Sequence, residues 1–121
     1  MPELSQPRPL REEERRLIEF LLGAEFSRRD QLRQQLESAQ VVWECECGCG
    51  TINLRASEGA LSAKAAIAVE ARGEGIDVSL FVRAGKMSSL EMVDDLDRRP
   101  PLFPRPEDLQ IWIAPRNVPR D

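Results

Sequence analysis

The sequence contains no histidine and no tyrosine. Without histidine no Ser-His or Cys-His nucleophile pair can form, and the commonest metal ligand in proteins is missing. Most familiar hydrolase active sites are therefore excluded. We accordingly expect a protein that is not an enzyme and that carries no cofactor.

Long apolar runs and clusters of basic residues are also missing from the sequence. No run approaches the roughly eighteen apolar positions of a membrane-spanning helix. The 17 basic residues are interleaved with 21 acidic ones, for a net charge of −4. A nucleic-acid or anionic-membrane surface would need a concentrated basic footprint, so we expect neither kind of partner.

The amino-terminal stretch "MPELSQPRPLREEERR" lacks the apolar core of a signal peptide. This favours a cytoplasmic location, where thiols stay reduced. A chain of 121 residues fits one domain that buries its own core. The three prolines within residues 1–9 predict an extended arm, which leaves residues 10–121 as a single α+β domain.

Two amino-terminal helices are predicted. The first has apolar residues at helical spacing on one face, acidic residues in its first turn and a glycine stop at Gly23. A second, shorter helix is predicted to begin at Ser27, because Ser27 and Asp30 have the spacing of a capping box and Leu32 and Leu36 follow. Each helix has only one apolar side, so both must pack on another layer.

Beyond the helices, the apolar period changes to two. In "VVWECEC" this period predicts a strand with Val41, Trp43, Cys45 and Cys47 on one side and Val42, Glu44 and Glu46 on the other. Further strands are predicted in "TINLR", in "GIDVSLFVRAG" with Ile76, Val78, Leu80 and Val82 inward, and in "MSSLEMV" after a turn at Gly85. The alanine-rich residues 65–72 favour a helix by propensity, but the turn at residues 73–75 favours a strand, and we predict a strand.

These elements predict an α+β fold. Two amino-terminal helices would pack on one face of a mainly antiparallel sheet of about five strands. The proline-rich tail "PPLFPRPEDL" would cross the surface, and "QIWIA" could add an edge strand.

The three cysteines occupy alternate positions, at Cys45, Cys47 and Cys49. Alternate residues on an extended strand are about 6.6 Å apart, whereas the sulfurs around one zinc ion are roughly 4 Å apart. A regular strand therefore cannot surround an ion, although turns at Gly48 and Gly50 could bring the three thiols together. Three interpretations stay open, namely buried small residues, a zinc site and reversible thiol chemistry.

A protein-binding face is predicted from four residues, Asp77, Phe81, Arg83 and Trp112. Phe81 lies on the opposite side of its strand from Val78 and Leu80, where either the tail covers it or it forms part of an exposed patch. Aromatic residues and arginine are the usual anchors of protein interfaces. The leading functional hypothesis is therefore a non-enzymatic, intracellular protein-interaction module whose acidic shell favours a basic partner.

The pattern Arg8-x-Leu10-x-x-x-Glu14-x-x-Leu17-Ile18-x-x-Leu21-Leu22 resembles the opening of a family of small uncharacterised bacterial proteins that form a domain of unknown function. The segments "GKMSSLEM" and "FPRPEDL" resemble the same family. Some comparable small, acidic α+β bacterial proteins act as immunity partners of secreted toxins. The resemblance thus implies an immunity-type or accessory role, and it implies no catalytic residue.

Overall fold

The computed structural model describes residues 4–23, 29–46, 49–56, 67–83, 85–96 and 103–112. Within these ranges the helices are α1 (Glu12–Leu21) and α2 (Arg29–Ser38). The strands are β1 (Arg8–Pro9), β2 (Gln40–Glu44), β3 (Ile52–Arg55), β4 (Ile67–Gly73), β5 (Ile76–Arg83), β6 (Lys86–Asp94) and β7 (Gln110–Trp112). A single 3₁₀ turn at Pro106–Asp108 precedes β7.

All seven strands form one antiparallel sheet in the order β1-β2-β3-β6-β5-β4-β7. The hairpin of β2 and β3 joins the meander of β4, β5 and β6 where Ile52 pairs with Leu90 and Asn53 pairs with Ser89. The two connected parts therefore share one continuous sheet.

The predicted fold, an α+β domain with about five strands, is wrong. The sheet has seven strands, and strand residues outnumber helical residues, so the described chain is mostly sheet. The additional strands are β1, within the predicted arm, and β7, which the sequence "QIWIA" had suggested. β1 could not be predicted because two residues, one of them Pro9, are too few to show an alternation of apolar and polar positions.

Both helices pack on the same face of this sheet. Buried residues of α1, α2 and the strands belong to one apolar cluster, and they follow the predicted helical and strand periods. The cluster contains Leu17, Ile18, Leu21, Leu32, Leu36, Val41, Val69, Val78, Leu80, Val82 and Leu90. The predicted start of the second helix, Ser27, lies outside the described residues.

The alanine-rich segment is a strand where the structure describes it. β4 pairs with β5 along its whole length, from Ile67 opposite Val82 to Gly73 opposite Ile76. The prediction of a strand over residues 65–72 is therefore confirmed from residue 67 onward. A two-residue turn closes this hairpin, with Gly75 at φ 70°, where glycine avoids the Cβ clash of other residues.

Two bulges interrupt the alternation of the strands. In β2, Val41 pairs with Leu54 but Trp43 pairs with Asn53, so Val42 is an extra residue. In β6, Ser88 is extra, because Phe81 pairs with Ser89 and Val82 with Met87. Each bulge moves the residues beyond it to the opposite face from the one that strict alternation predicts.

The bulge at Val42 overturns the predicted faces of β2. Trp43 shares a face with the exposed Asn53, and Glu44 shares the helix-covered face with the buried Ile52. The prediction that Val41 and Trp43 point the same way is therefore wrong. Its physical cause is one unpaired residue, which reverses the alternation of side chains along the strand.

Candidate protein-binding face

β5 displays three of the four predicted contact residues on one side. Ile76, Val78, Leu80 and Val82 are buried under the helices, as predicted. Asp77, Phe81 and Arg83 occupy alternate positions between and after them, so they lie on the opposite side of the strand. We call this side of the sheet, which carries Glu70, Arg72, Asp77, Ser79, Phe81, Arg83, Glu91 and Val93, the helix-free face.

The centre of the helix-free face is a shallow groove of about 280 Å³. Phe81 contributes a half-buried ring to it, and Val93, from β6, is 56% exposed. None of residues 103–111, whose side chains are described, lines this groove. Phe81 and Val93 thus provide apolar surface within reach of a partner.

Charge is divided between the two ends of the helix-free face. Near the turn between β4 and β5, Glu70, Glu91 and an ion pair of Arg72 with Asp77, 3.6 Å between Nε and Oδ1, surround the groove. Near the turn between β5 and β6, a depression of about 250 Å³ is lined by basic side chains. These are Arg55, Arg83 and Lys86, and all three are exposed.

The fourth predicted contact residue, Trp112, lies in β7. Its backbone pairs with Glu70 of β4, next to the groove along the sheet. The structure describes the backbone of Trp112 but not its side chain. The structure therefore brings Asp77, Phe81 and Arg83 together on one strand and puts Trp112 two strands away in the sheet order.

Of the three cysteines, Cys45 and Cys49 are described and Cys47 is not. Neither of these two cysteines is in a disulfide bond, and both are half-buried. The backbone N–H of Cys45 donates to the carbonyl of Thr51 at 2.9 Å, and the Cys49 thiol donates to the Thr51 hydroxyl at 3.4 Å. Within the described ranges, no three or more Cys, Asp or Glu side chains are grouped in a way that would hold a metal ion.

A partly buried ion network that sequence reasoning missed joins α1 to the sheet. Arg8 donates from Nη1 and Nη2 to the two oxygens of Glu14, each at 2.9 Å, and from Nε to Glu44 at 2.5 Å. Glu14 also accepts the backbone N–H of Arg11 at 2.8 Å, which is one half of a capping box. The Glu14 residue is only 2% exposed.

The network holds Glu14 in its charged form. Burial raises the pKa of Glu14, whereas the hydrogen bonds from Arg8 and from the Arg11 backbone lower it. The lowering is the larger effect, so the pKa of Glu14 lies below its ordinary value. The hydrogen bonds that Arg8 donates to Glu14 and Glu44 raise the pKa of Arg8. The contact of Glu14 with the Arg11 backbone has a sequence signal, because Glu14 is the third residue of α1, where capping-box carboxylates occur. Its contact with Arg8 depends on β1, which has no such signal.

A buried amide, Gln35, connects α2 to the turn between β5 and β6. Its Nε2 donates to the carbonyl of Gly85 and its Oε1 accepts the N–H of Met87, each at 2.8 Å. Gln35 is fully buried, at the helical spacing of Leu32 and Leu36. The sequence signal was a polar residue on an otherwise apolar helix face.

Comparisons with protein-family models, with curated proteins and with solved structures found no match to this chain. Among the described residues, neither helix combines the length and the apolar character needed to cross a bilayer.

Proposed function

We propose that this protein is a non-enzymatic, cytoplasmic interaction module that binds a protein partner through the helix-free face, in an immunity-type or accessory role. One observation carries this proposal. Asp77, Phe81 and Arg83, predicted as contact residues from their types and spacing, share one side of β5, away from the helices.

The mechanism is surface complementarity. Phe81 and Val93 lose contact with water when a partner covers them, and such desolvated anchors supply most of the affinity in protein interfaces. The separated acidic and basic ends of the face fix the orientation of the partner, because a reversed complex would place like charges together. This proposal predicts a partner with basic residues opposite Glu70 and Glu91 and acidic residues opposite Arg83 and Lys86.

The test begins with capture of the partner from the native host by the full-length chain, followed by affinity measurements on purified components. Phe81→Ala should weaken binding by about 30-fold, as expected of an interface hot spot. Asp77→Lys should weaken it by about tenfold, and Glu37→Lys, which makes the same charge change on an exposed position of α2, should leave it unchanged.

Thermal denaturation of each variant would establish that it is folded. Folded Phe81→Ala and Asp77→Lys proteins that bind the captured partner with wild-type affinity would disprove the proposal. Weakening by Glu37→Lys alone would instead place the interface on the helical side.

A further inference from the structure

A second groove, independent of the helix-free face, lies between α1 and the segment that precedes β7. Its volume is about 590 Å³. Its apolar residues are Phe20 from α1 and Phe103, both half-buried against the core, with the buried Pro104 beside them. The volume falls in the range of pockets that hold small ligands or peptide side chains, roughly 300–1,000 Å³.

Among the described residues that line this groove, acidic side chains outnumber basic ones. Glu13 and Glu19 project from α1 at exposed positions, and neither makes an ion pair with another described residue. The two cations among these described residues are already engaged. Arg16 pairs with Glu12 at 3.1 Å, and Arg105 pairs with Asp108 at 3.0 Å and with Glu107 at 3.6 Å.

We infer that this groove binds a basic peptide segment of a partner protein, with one large apolar side chain between Phe20 and Phe103 and lysine or arginine beside Glu13 and Glu19. The choice of occupant follows from the charges. An acidic segment would meet two carboxylates without cations, whereas a purely apolar segment would leave those carboxylates poorly solvated and without a partner. A basic segment with an apolar anchor satisfies both parts of the groove.

The groove and the helix-free face are on opposite sides of the sheet, because α1 packs on the side of Val78 and Leu80. A segment bound in the groove therefore leaves Phe81 accessible. The two sites can be tested separately, and a negative result at one site does not contradict the proposal for the other.

The test uses isotope-labelled full-length protein and the synthetic hexapeptide KRFLRK. We expect binding in fast or intermediate exchange, with the largest amide shift changes around Phe20 and Phe103. The peptide EDFLDE tests the charge requirement and KRAGRK tests the apolar anchor, and each should bind at least about tenfold more weakly.

Two double variants separate the groove from general electrostatic attraction. Glu13→Lys with Glu19→Lys should weaken KRFLRK binding by about tenfold. Glu37→Lys with Glu46→Lys makes the same change in net charge at exposed positions elsewhere, and it should have a much smaller effect. Asp77→Lys should leave peptide binding unchanged.

Several outcomes would overturn the inference. Equal weakening by the two double variants, or equal binding of EDFLDE, would show that the rim carboxylates do not select the ligand. Nuclear Overhauser contacts between the Phe20 ring and residues 113–121 in the free protein would identify the chain's own terminus as the occupant. A dimer that Glu13→Lys with Glu19→Lys converts to monomers would identify a second copy instead.

Discussion

At the scale of single residues, the least expected feature is the buried carboxylate of Glu14. Two neighbouring glutamates in the same helical turn, Glu12 and Glu13, are exposed, so composition alone does not distinguish the three. What distinguishes Glu14 is its contact with Arg8, which comes from a strand rather than from the helix. A buried charge is stable only with such a partner, so the sequence pattern could show an acidic first turn but not which residue it buries.

Glu14→Gln should destabilise the protein. The change removes the carboxylate that accepts hydrogen bonds from Nη1 and Nη2 of Arg8 and leaves Arg8 with only Glu44 as an acidic partner. We expect a loss of about 2–3 kcal/mol in the free energy of unfolding, measured by urea denaturation. Glu13→Gln, at the preceding exposed position, should change it by less than about 0.5 kcal/mol. Similar losses for the two variants would contradict a structural role for the network.

The same carboxylate should contribute to acid sensitivity. Because the pKa of Glu14 is lower in the folded than in the unfolded state, the unfolded state binds more protons between these two values. The stabilisation is present above the ordinary glutamate pKa of about 4.3 and is lost as the pH falls through the lower folded value. The stability difference between wild type and Glu14→Gln should therefore narrow between about pH 6 and about pH 3. A constant difference across this range would contradict the depressed pKa.

At the scale of helices and strands, the features that could be predicted from the sequence are those marked by a regular spacing of apolar residues. The apolar spacing identified α1, α2 and the inward residues of β5, all of which the structure confirms. Periodicity could not identify β1, which is two residues long, or the bulges at Val42 and Ser88, because an extra residue in a ladder depends on the partner strand. The face of Trp43 was predicted incorrectly for that reason.

The same limit applies to the candidate site. The side of β5 that carries Phe81 follows from alternation, so its position on the helix-free face was predictable. The acidic groove beside Phe20 was not, because it requires the segment at residues 103–107 to pack against α1, and proline-rich sequence specifies an extended backbone without specifying its neighbour.

The docking of α2 on the sheet should depend on Gln35. Gln35→Leu keeps a similar volume but leaves the Gly85 carbonyl and the Met87 N–H without their buried partner. We expect a loss of about 2–4 kcal/mol in stability. Gln34→Leu, one residue earlier at an exposed position, should change stability by less than about 0.5 kcal/mol. Hydrogen exchange of the Met87 amide provides a local check, because exchange should accelerate in Gln35→Leu and stay slow in Gln34→Leu.

At the scale of the whole molecule, one apolar cluster extends from β2 to β4 through all the central strands. β3 and β6 join the two parts of the sheet, and both helices contribute to the same cluster. This continuity predicts that the chain unfolds as one domain in one cooperative transition.

The two tryptophans are suited to test this prediction, since Trp43 lies in β2 and Trp112 in the edge strand β7. In Trp112→Phe the remaining tryptophan, Trp43, reports on β2. In Trp43→Phe the remaining tryptophan, Trp112, reports on β7. In each variant the urea midpoint by fluorescence should coincide with the midpoint by circular dichroism. Separate midpoints within either variant would reveal two units that unfold independently.

Because of the bulge in β2, the strand could lose one residue without a change in its pairing with β3. The residues on either side of Val42 oppose consecutive residues of β3, so a chain without Val42 could keep Val41 opposite Leu54 and Trp43 opposite Asn53. Such a deletion would remove an almost fully buried valine while leaving Glu44 aligned to reach Arg8. Deletion of Val42 would therefore cost buried packing and the hydrogen bond that its carbonyl accepts from the Leu4 N–H, but it would not shift the pairing of β2 with β3.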